Sequence, residues 1–287
     1  MKLAPVLVAA FVACDSPGMD LADAARPDAP PGCTRPPLDA AFLRPLLVDA
    51  LAGLPAPRAT VNQRIATRTF LADQLAAIGF PAQLHDYAGG TNVFAVIPAT
   101  LGSERGIIVG AHYDTVDGSP GANDNASGTV AVLAIARFLA DVPCRTAPVT
   151  VVLFDQEELG LFGSRAFAQM LQPADIRAVH TIDQISWDDD GDRILEVEQP
   201  TLALEQEYRA AAQVAGATIS LVSAGGTDHE AFRDQGFAAV GLTEEFTAGD
   251  TSPFRHLAGD TIATVDVDYL VLATQLAAQV VMSEIAP

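Results

Sequence analysis

The sequence predicts an α/β domain in which a largely parallel sheet is covered by helices on both sides. Segments with the apolar spacing of helices alternate with short apolar segments along the chain. The segment 149–154 is almost entirely apolar, which is typical of a strand buried on both faces. Apolar residues make up 49% of the 287 positions, so the chain can bury a substantial core.

Helices are predicted where apolar periodicity meets a cap or a stop signal. Asp39 caps a first helix that ends near Gly53. A second helix runs from about Thr60 to Gly79, with leucines and an isoleucine on one face and glycine as its stop signal. Three further helices are predicted over 125–141, from about 157, and over 267–283.

Strands are predicted from the short apolar segments between these helices. Because the carboxyl ends of neighbouring parallel strands share one edge of a sheet, binding sites form beyond those ends. The predicted strands are 92–98, 106–111, 149–154, 179–185, 194–198, 219–222 and 238–242.

Acidic residues outnumber basic ones by 36 to 16, which gives a formal net charge of −20. This charge disfavours nucleic acid and anionic membrane surfaces as partners, since both would repel the protein. It favours a substrate that carries a positive group. The sequence contains no apolar stretch of about 18 residues or more, so no ordinary membrane span is predicted.

The amino-terminal segment has the features of an export signal. Lys2 is followed by an apolar run from Leu3 to Ala13, and Cys14 comes directly after this run. Phe-Val-Ala-Cys resembles the bacterial lipoprotein processing site, so residues 1–13 are expected to be a signal peptide. A lipid on Cys14 would then be the only link to a membrane, at the cell envelope on the periplasmic or outer surface. Cleavage after Ala24, giving a secreted enzyme, and an unprocessed cytosolic amino end are the alternatives.

Residues 14–37 are rich in proline and aspartate and are expected to form an extended tether. Residues 38–287 are then expected to form one folded domain. In an oxidising compartment, Cys33 and Cys144 are the two cysteines left to pair, which would pin the end of the tether to the domain. Two independent thiols are the alternative.

Polar side chains follow the predicted strands at the positions where a site should form. A lone histidine or a glutamate pair at a helix start usually has a structural role. Together, imidazole and carboxylate ligands without a thiolate suit one or two zinc ions, and two ions need a bridging carboxylate. The residues concerned are His112, Asp114, Asp124, Glu157, Glu158, Asp183 and His256.

Three motifs make a resemblance specific: GAHYD at 110–114, GANDNASG at 121–128 and FDQEELG at 154–160. They resemble the dizinc aminopeptidase family, which also contains glutamate carboxypeptidases and, more distantly, glutaminyl cyclases. Segments 226–232 and 256–261 match later blocks of that family in the same order. The resemblance implies a three-layer α/β/α fold around a mixed, mostly parallel sheet of about eight strands.

The same resemblance implies roles for the polar residues. Glu157 would be the general base, and Asp114 would orient a histidine ligand by accepting its second ring N–H. The Asp124–Asn125 peptide bond would be cis. The chain would bind two zinc ions. His112 and Asp183 would hold one ion, and Glu158 and His256 would hold the other. Asp124 would bridge the two ions.

The implied function is an exported zinc-dependent aminopeptidase that removes residues from peptides with a free amino terminus, using a zinc-bridging water. A carboxypeptidase-type relative is disfavoured because the chain has few basic residues for a substrate carboxylate. A glutaminyl cyclase and a catalytically silent, receptor-like relative are further alternatives. A related family with a large lid domain does not fit, because only 73 positions separate Asp183 from His256.

Several residues have two interpretations at this stage. Arg255 stands where many relatives have tyrosine, and it is either an oxyanion stabiliser or a surface residue. Residues 188–192 are either a calcium-binding loop or a solvated one. Trp187 either walls the substrate pocket or packs in the core. Glu244 and Glu245 are either part of an acidic mouth or a solvated pair. The sequence Thr181-Ile182-Asp183-Gln184 departs from the family's usual Asn-x-Asp-Met around the Asp183 ligand. The other three histidines, His85, His180 and His229, are expected not to bind metal.

Overall fold

The computed structural model describes residues 32–102 and 105–287, in which an eight-stranded sheet lies between two layers of helices. The strand order is β1-β2-β4-β3-β5-β8-β6-β7. The strands are β1 (Gln83–Tyr87), β2 (Gly90–Ile97), β3 (Gly106–His112), β4 (Val149–Phe154), β5 (Ile176–Ile182), β6 (Ile194–Glu198), β7 (Thr218–Val222) and β8 (Ala239–Thr243).

The helices begin where short polar side chains accept hydrogen bonds from the first free N–H groups. Asp39 caps the first helix through Phe42 N, and Thr60 forms a capping box with Gln63 at the second. Gly79 then ends the second helix in the left-handed conformation. The helices are α1 (Ala40–Gly53), α2 (Val61–Ile78), α3 (Gly128–Ala140), α4 (Phe162–Gln169), α5 (Leu202–Ala215), α6 (Asp228–Arg233) and α7 (Val267–Ile285).

The two faces of the sheet carry apolar cores of different size. Alternate residues of β3 face opposite ways, so that Ile107 and Val109 join the larger core while Ile108 joins the smaller one. The larger core contains α1, α2, α3, α5 and α7, and the smaller one contains Phe167 of α4 and Phe232 of α6. This is the predicted three-layer α/β/α arrangement.

The centre of the sheet is parallel, and this places the site. Strand β3 pairs in parallel with both β4 and β5, and β5 pairs in parallel with β8. The carboxyl ends of these four strands therefore lie at the same edge of the sheet. Within the described residues, antiparallel pairing is confined to β1 with β2, β2 with β4, and β6 with β8.

Most predicted elements are present, with shifted boundaries at the site. The helix predicted from about 157 begins only at Phe162, because Gln156 and Leu161 have left-handed φ angles of 61° and 60° that a helix cannot contain. The helix predicted from 125 begins at Gly128, after a distorted turn over Ala122–Ser127. Strand β1 and helices α5 and α6 were not predicted: β1 is a half-exposed edge strand without an apolar run, and α6 has only six residues.

The predicted disulfide is confirmed: Cys33 is bonded to Cys144, in the segment between α3 and β4. It ties the residues that precede α1 to the body of the domain. The expected signal peptide, Cys14 and the tether up to residue 31 lie outside the described residues. Among the helices that the structure describes, none combines the length and apolar character needed to cross a bilayer.

Candidate active site

The predicted site residues converge at the carboxyl edge of the parallel strands. His112 is the last residue of β3, and Asp114 follows it by two positions. Glu157 and Glu158 lie in the segment after β4, and Asp183 directly follows β5. These three strands are neighbours, so the topology brings together side chains that are up to 71 positions apart in sequence.

Asp124 lies in a loop that is held from both sides. We call Ala122–Ser127 the bridging loop. The buried carboxylate of Asp260 accepts hydrogen bonds from Asn123 N at 2.7 Å and Asp124 N at 3.0 Å. The buried guanidinium of Arg58 donates to Gly121 O at 2.6 Å and to Pro120 O at 3.0 Å. Since these contacts use the backbone of the loop and of the two residues before it, the Asp124 side chain is left to face the site.

The Asp124–Asn125 peptide bond is cis, as predicted. The Asn125 side chain donates to Ile182 O at 2.8 Å and accepts from Gly128 N at 2.8 Å, which fixes the loop against the end of β5. Only glycine fits at position 128, because a Cβ there would lie 2.4 Å from Asn125 Oδ1 and 2.5 Å from Ile182 O. Asp124 and Asp183 are thereby held on adjoining segments.

Asp124 has one carboxylate oxygen toward each histidine. Its Oδ1 lies 3.4 Å from His112 Nε2, and its Oδ2 lies 3.1 Å from His256 Nε2. His112 Nε2 is also 3.3 Å from Asp183 Oδ1, and His256 Nε2 is 3.0 Å from Glu158 Oε2. Asp124 therefore lies between the pair His112 and Asp183 and the pair Glu158 and His256. Ligand atoms lie within 4.8 Å of one another in two trios, His112 with Asp124 and Glu158, and His112 with Glu157 and Asp183.

The donor atoms fit a pair of zinc ions. Two ligand atoms on one tetrahedral zinc ion lie about 3.3–3.6 Å apart, close to the separations observed here. The atoms that face the centre are buried and have no hydrogen-bond partner in the described part of the chain, which is costly unless a cation satisfies them. They are His112 Nε2, Asp124 Oδ2, Glu158 Oε1, Asp183 Oδ1 and His256 Nε2.

Asp114 contacts both sides of this arrangement. Its Oδ1 lies 3.4 Å from His112 Nδ1, the ring nitrogen that faces away from the other ligands. The same carboxylate accepts from Glu157 N at 3.0 Å and from Glu158 N at 3.3 Å. Asp114 is therefore placed to orient the histidine and to fix the backbone of the glutamate pair.

The site contains more buried carboxyl groups than basic side chains, so bound cations would stabilise it. Despite its burial, His112 has a pKa well above its usual value because Asp183 and Glu157 lie beside it. Burial raises the pKa of Glu157 to about 10 and that of Glu158 to about 7, since nearby carboxylates add to the effect. The largely buried carboxyl groups in this region are Asp114, Asp124, Glu157, Glu158, Asp183 and Asp228.

The loop that carries His256 also brings Arg255 to the site. His256 has a left-handed φ of 61°, an uncommon conformation for a residue with a side chain. The Arg255 guanidinium lies 3.5 Å from Asp124 Oδ2, with its centre 5.3 Å from the Phe246 ring centroid. Arg255 is thus a partly exposed residue at the mouth of the site.

Other predicted positions lie around the site in structural roles. His180 Nε2 is 3.0 Å from Glu284, and His229 Nδ1 is 2.8 Å from the Thr227 hydroxyl. Trp187 packs edge-on against Phe254. Neither Glu244 nor Glu245 belongs to a solvated pair, since both are buried. Glu244 accepts from the Asn123 amide, Trp187 N and Ser252 N at 2.9–3.1 Å.

Sequence reasoning gave no role to three residues that shape the site: Arg58, Asp228 and Asp260. Asp228 is buried, and burial together with the surrounding carboxylates raises its pKa to about 7. Asp228 and Asp260 lie within the matched segments 226–232 and 256–261, which was the only signal in the sequence. Arg58 is 63 positions from Gly121 and Asp260 is 136 positions from Asp124, so local patterns could not identify these contacts.

Known proteins resemble this chain in sequence. The sequence profile of peptidase family M28 matches residues 92–281. Aminopeptidase YwaD of Bacillus subtilis is 30% identical over 182 residues, which cover 59% of this chain and 39% of YwaD. The probable lipoprotein aminopeptidase LpqL of Mycobacterium tuberculosis is 30% identical over 161 residues, which cover 50% of this chain and 32% of LpqL. The chain therefore spans less than half the length of these relatives.

Solved structures share the fold. BSAP, a zinc aminopeptidase from Bacillus subtilis, matches with a TM-score of 0.64 and 27% identity over 69% of this chain and 50% of BSAP. The LapA aminopeptidase of Legionella pneumophila matches with a TM-score of 0.77 and 19% identity over 87% of this chain and 73% of LapA. A glutaminyl cyclase of Bacteroides thetaiotaomicron matches with a TM-score of 0.70 and 18% identity over 86% of this chain and 99% of the cyclase.

Proposed function

Because the chain belongs to peptidase family M28, we propose that it is a zinc-dependent aminopeptidase that hydrolyses amino-terminal residues from peptides. The observation that carries the proposal is the position of Asp124, whose two carboxylate oxygens each face one histidine. A shared carboxylate between two ligand groups is the arrangement that two co-catalytic ions require.

The metal is proposed to be zinc, with two ions per chain. The name of BSAP as a zinc aminopeptidase supports the choice, as does a ligand set of histidine and carboxylate without thiolate. His112 and Asp183 would hold one ion, Glu158 and His256 would hold the other, and Asp124 would join them. When bound, the ions polarise the scissile carbonyl and lower the pKa of the attacking water.

The remaining residues handle protons and charge. Glu157 would accept the proton of the attacking water at its carboxylate and then donate it to the leaving amine. Its carboxylate Oε2 lies 3.9 Å from His112 Nε2, at the same centre as the ligands. Asp114 would hold His112 in the tautomer that leaves Nε2 free for the metal. The Arg255 guanidinium at the mouth would stabilise the oxyanion.

A substrate with a protonated amine suits the charge of the protein. The formal net charge is −20, and a negative mouth attracts a cationic amino terminus. The carboxypeptidase-type alternative would need basic groups for a substrate carboxylate, and the sequence has only 16 lysine and arginine residues against 36 acidic ones. Glutaminyl cyclase is the alternative that the fold supports, because a cyclase is among the structural neighbours.

The proposal extends to export. A lipid on Cys14 would place the protein at the cell envelope, with secretion after cleavage at Ala24 as the second route. The name of LpqL as a probable lipoprotein aminopeptidase supports the first route. The Cys33–Cys144 bond fits an oxidising compartment in either case. Metabolic labelling with palmitate of wild-type and Cys14→Ser proteins tests it, since only the wild type should be labelled.

The activity is tested with matched substrates on the zinc-loaded protein. Leu-nitroanilide should be cleaved, its N-acetylated form should be cleaved at least about 100-fold more slowly, and an amino-terminal glutaminyl peptide should release glutamine rather than ammonia. Equal cleavage of the acetylated substrate would exclude the aminopeptidase. Ammonia release with formation of a cyclic product would identify a cyclase instead.

A further inference from the structure

Asp155 is a buried carboxylate that has no role in the reaction described above. It follows β4 directly and precedes Glu157 by two positions. Its side chain is fully buried, and its Oδ1 lies 2.8 Å from Arg64 Nε. Its Oδ2 lies 3.3 Å from Arg68 Nη1 and accepts a hydrogen bond from Thr91 N at 3.1 Å. Both carboxylate oxygens are therefore held, which fixes the plane of the carboxylate.

The backbone of Asp155 is held as firmly as its side chain. Its N–H donates to Asn92 Oδ1 at 2.9 Å, and its carbonyl accepts from the Tyr87 hydroxyl at 2.7 Å. The same hydroxyl lies 3.2 Å from Gln156 Oε1. The turn between β1 and β2 leaves room for this contact only with glycine at position 90, where a Cβ would lie 2.7 Å from Gln156 Oε1. Helix α2 and strands β1 and β2 thus all hold the residue that ends β4.

The position of Glu157 depends on this fixed point. Between β4 and α4 the chain is neither helix nor strand, and Gln156 has an uncommon left-handed φ of 61°. Only this one residue separates Asp155 from Glu157, so a rotation of Asp155 would move the glutamate with it. On the other side, Glu157 N donates to Asp114 at 3.0 Å. The backbone of Glu157 is therefore set by Asp155 and by Asp114 together.

The ion pairs of Asp155 supply orientation more than stability. Replacing a buried ion pair with apolar side chains is often neutral or stabilising, so stability alone does not explain this arrangement. Arg64 and Arg68 are four residues apart on α2, so they project from one face of the helix. Each guanidinium contacts a different oxygen of Asp155, which defines an orientation that an apolar contact would leave free.

We propose that Asp155, anchored by Arg64 and Arg68, is a positioning residue for the general base Glu157. The inference rests on the proposed function, because it needs Glu157 to be the base. Asp155 acts through the backbone that it shares with Glu157. When the anchors are lost, the Glu157 carboxylate moves away from the attacking water, and a displacement of about 1 Å can lower a rate by about 10²-fold. The proposed zinc ligands are other side chains, so zinc content should not change.

The test measures kcat, KM, zinc content and the unfolding midpoint of the full, zinc-loaded chain, with Leu-nitroanilide as substrate. Arg68→Gln should lower kcat at least about tenfold and change KM less than about threefold. Asp155→Asn should lower kcat by about 10–100-fold, since it removes the charge that both arginines contact. Arg68→Lys keeps a positive charge at this position and should stay within about threefold of the wild-type kcat.

The matched control is Arg177→Gln. Arg177 Nη2 lies 3.3 Å from Glu207 Oε1, the same separation as between Arg68 and Asp155, and both arginine side chains are partly exposed. Arg177 is the second residue of β5, at the end of that strand opposite to the site. Arg177→Gln should therefore lower the unfolding midpoint about as much as Arg68→Gln does and leave kcat within about twofold of the wild type.

The decisive measurement repeats Arg68→Gln in the Glu157→Gln protein. If Asp155 and its anchors act through the base, the residual kcat should change less than about twofold in that background. The proposal is overturned if Arg68→Gln keeps the wild-type kcat, or if it lowers kcat equally in both backgrounds, because the effect is then general to the fold. A Glu157→Gln protein with wild-type kcat would give a different result: it would overturn the assigned base, and the positioning role with it.

Discussion

Replacing Glu157 with glutamine should abolish turnover and leave zinc bound. Glutamine keeps the size of the side chain, which is 11% exposed, but it cannot accept a proton at neutral pH. The backbone contact from Glu157 N to Asp114 at 3.0 Å does not involve the replaced group, so the loop should keep its position. The ligand atoms of Asp124, Glu158 and His256 are untouched.

The expected magnitude follows from the proton-transfer step. A positioned general base contributes about 10²–10⁴-fold, or about 2.7–5.4 kcal/mol at 1.36 kcal/mol per decade. The fall should appear in kcat, because the glutamine variant still has the side chains that bind substrate. Kinetics on Leu-nitroanilide beside zinc measurement by mass spectrometry would separate the two quantities.

Glu158→Gln is the matched control, since it makes the same chemical change at the adjacent position. Glu158 Oε2 lies 3.0 Å from His256 Nε2, in the ligand group, so this variant should lose zinc affinity by at least about tenfold. A Glu157→Gln protein with more than a tenth of wild-type kcat would refute the assigned base. Equal zinc loss in both variants would refute the assignment of Glu157 as the base and Glu158 as the metal ligand.

Three further perturbations test the surroundings of the site. Asp260→Asn should destabilise the bridging loop by about 1.5–3 kcal/mol, because it weakens two charge-assisted hydrogen bonds to backbone N–H groups; chemical unfolding and zinc titration should both show the loss. Replacing Cys33 and Cys144 with serine should lower the free energy of unfolding by about 2–4 kcal/mol, and reductant should then have no further effect on the unfolding midpoint. Burial raises the pKa of Glu198 to about 8, so the folded state holds a proton that the unfolded chain loses above about pH 4.3, and stability should fall as pH rises from 5 to 8. Glu198→Gln should remove part of that fall in unfolding experiments at the two pH values, whereas an unchanged difference would place the titration elsewhere.

The sequence determined the site residues that stand in short motifs, because their spacing along the chain is the signal. His112 and Asp114 end one strand, and Glu157 and Glu158 follow another, so local patterns place them at the same edge of a parallel sheet. The cis bond after Asp124 also belongs to such a motif. The sheet centre was predictable for the same reason, since its strands are apolar on both faces.

Tertiary structure alone decided which distant groups support the site. Asp260 lies 136 positions from the backbone N–H of Asp124 that it binds, and Arg58 lies 63 positions from Gly121. Glu245 follows β8 and lies beside Asp190 and Asp192, more than 50 positions earlier in the chain, because β5 and β8 are adjacent. Aspartate, glutamate and arginine usually lie at the protein surface, so their presence in the sequence does not indicate a buried role. Their burial and their partners arise from strand order, and a local pattern contains no information about strand order.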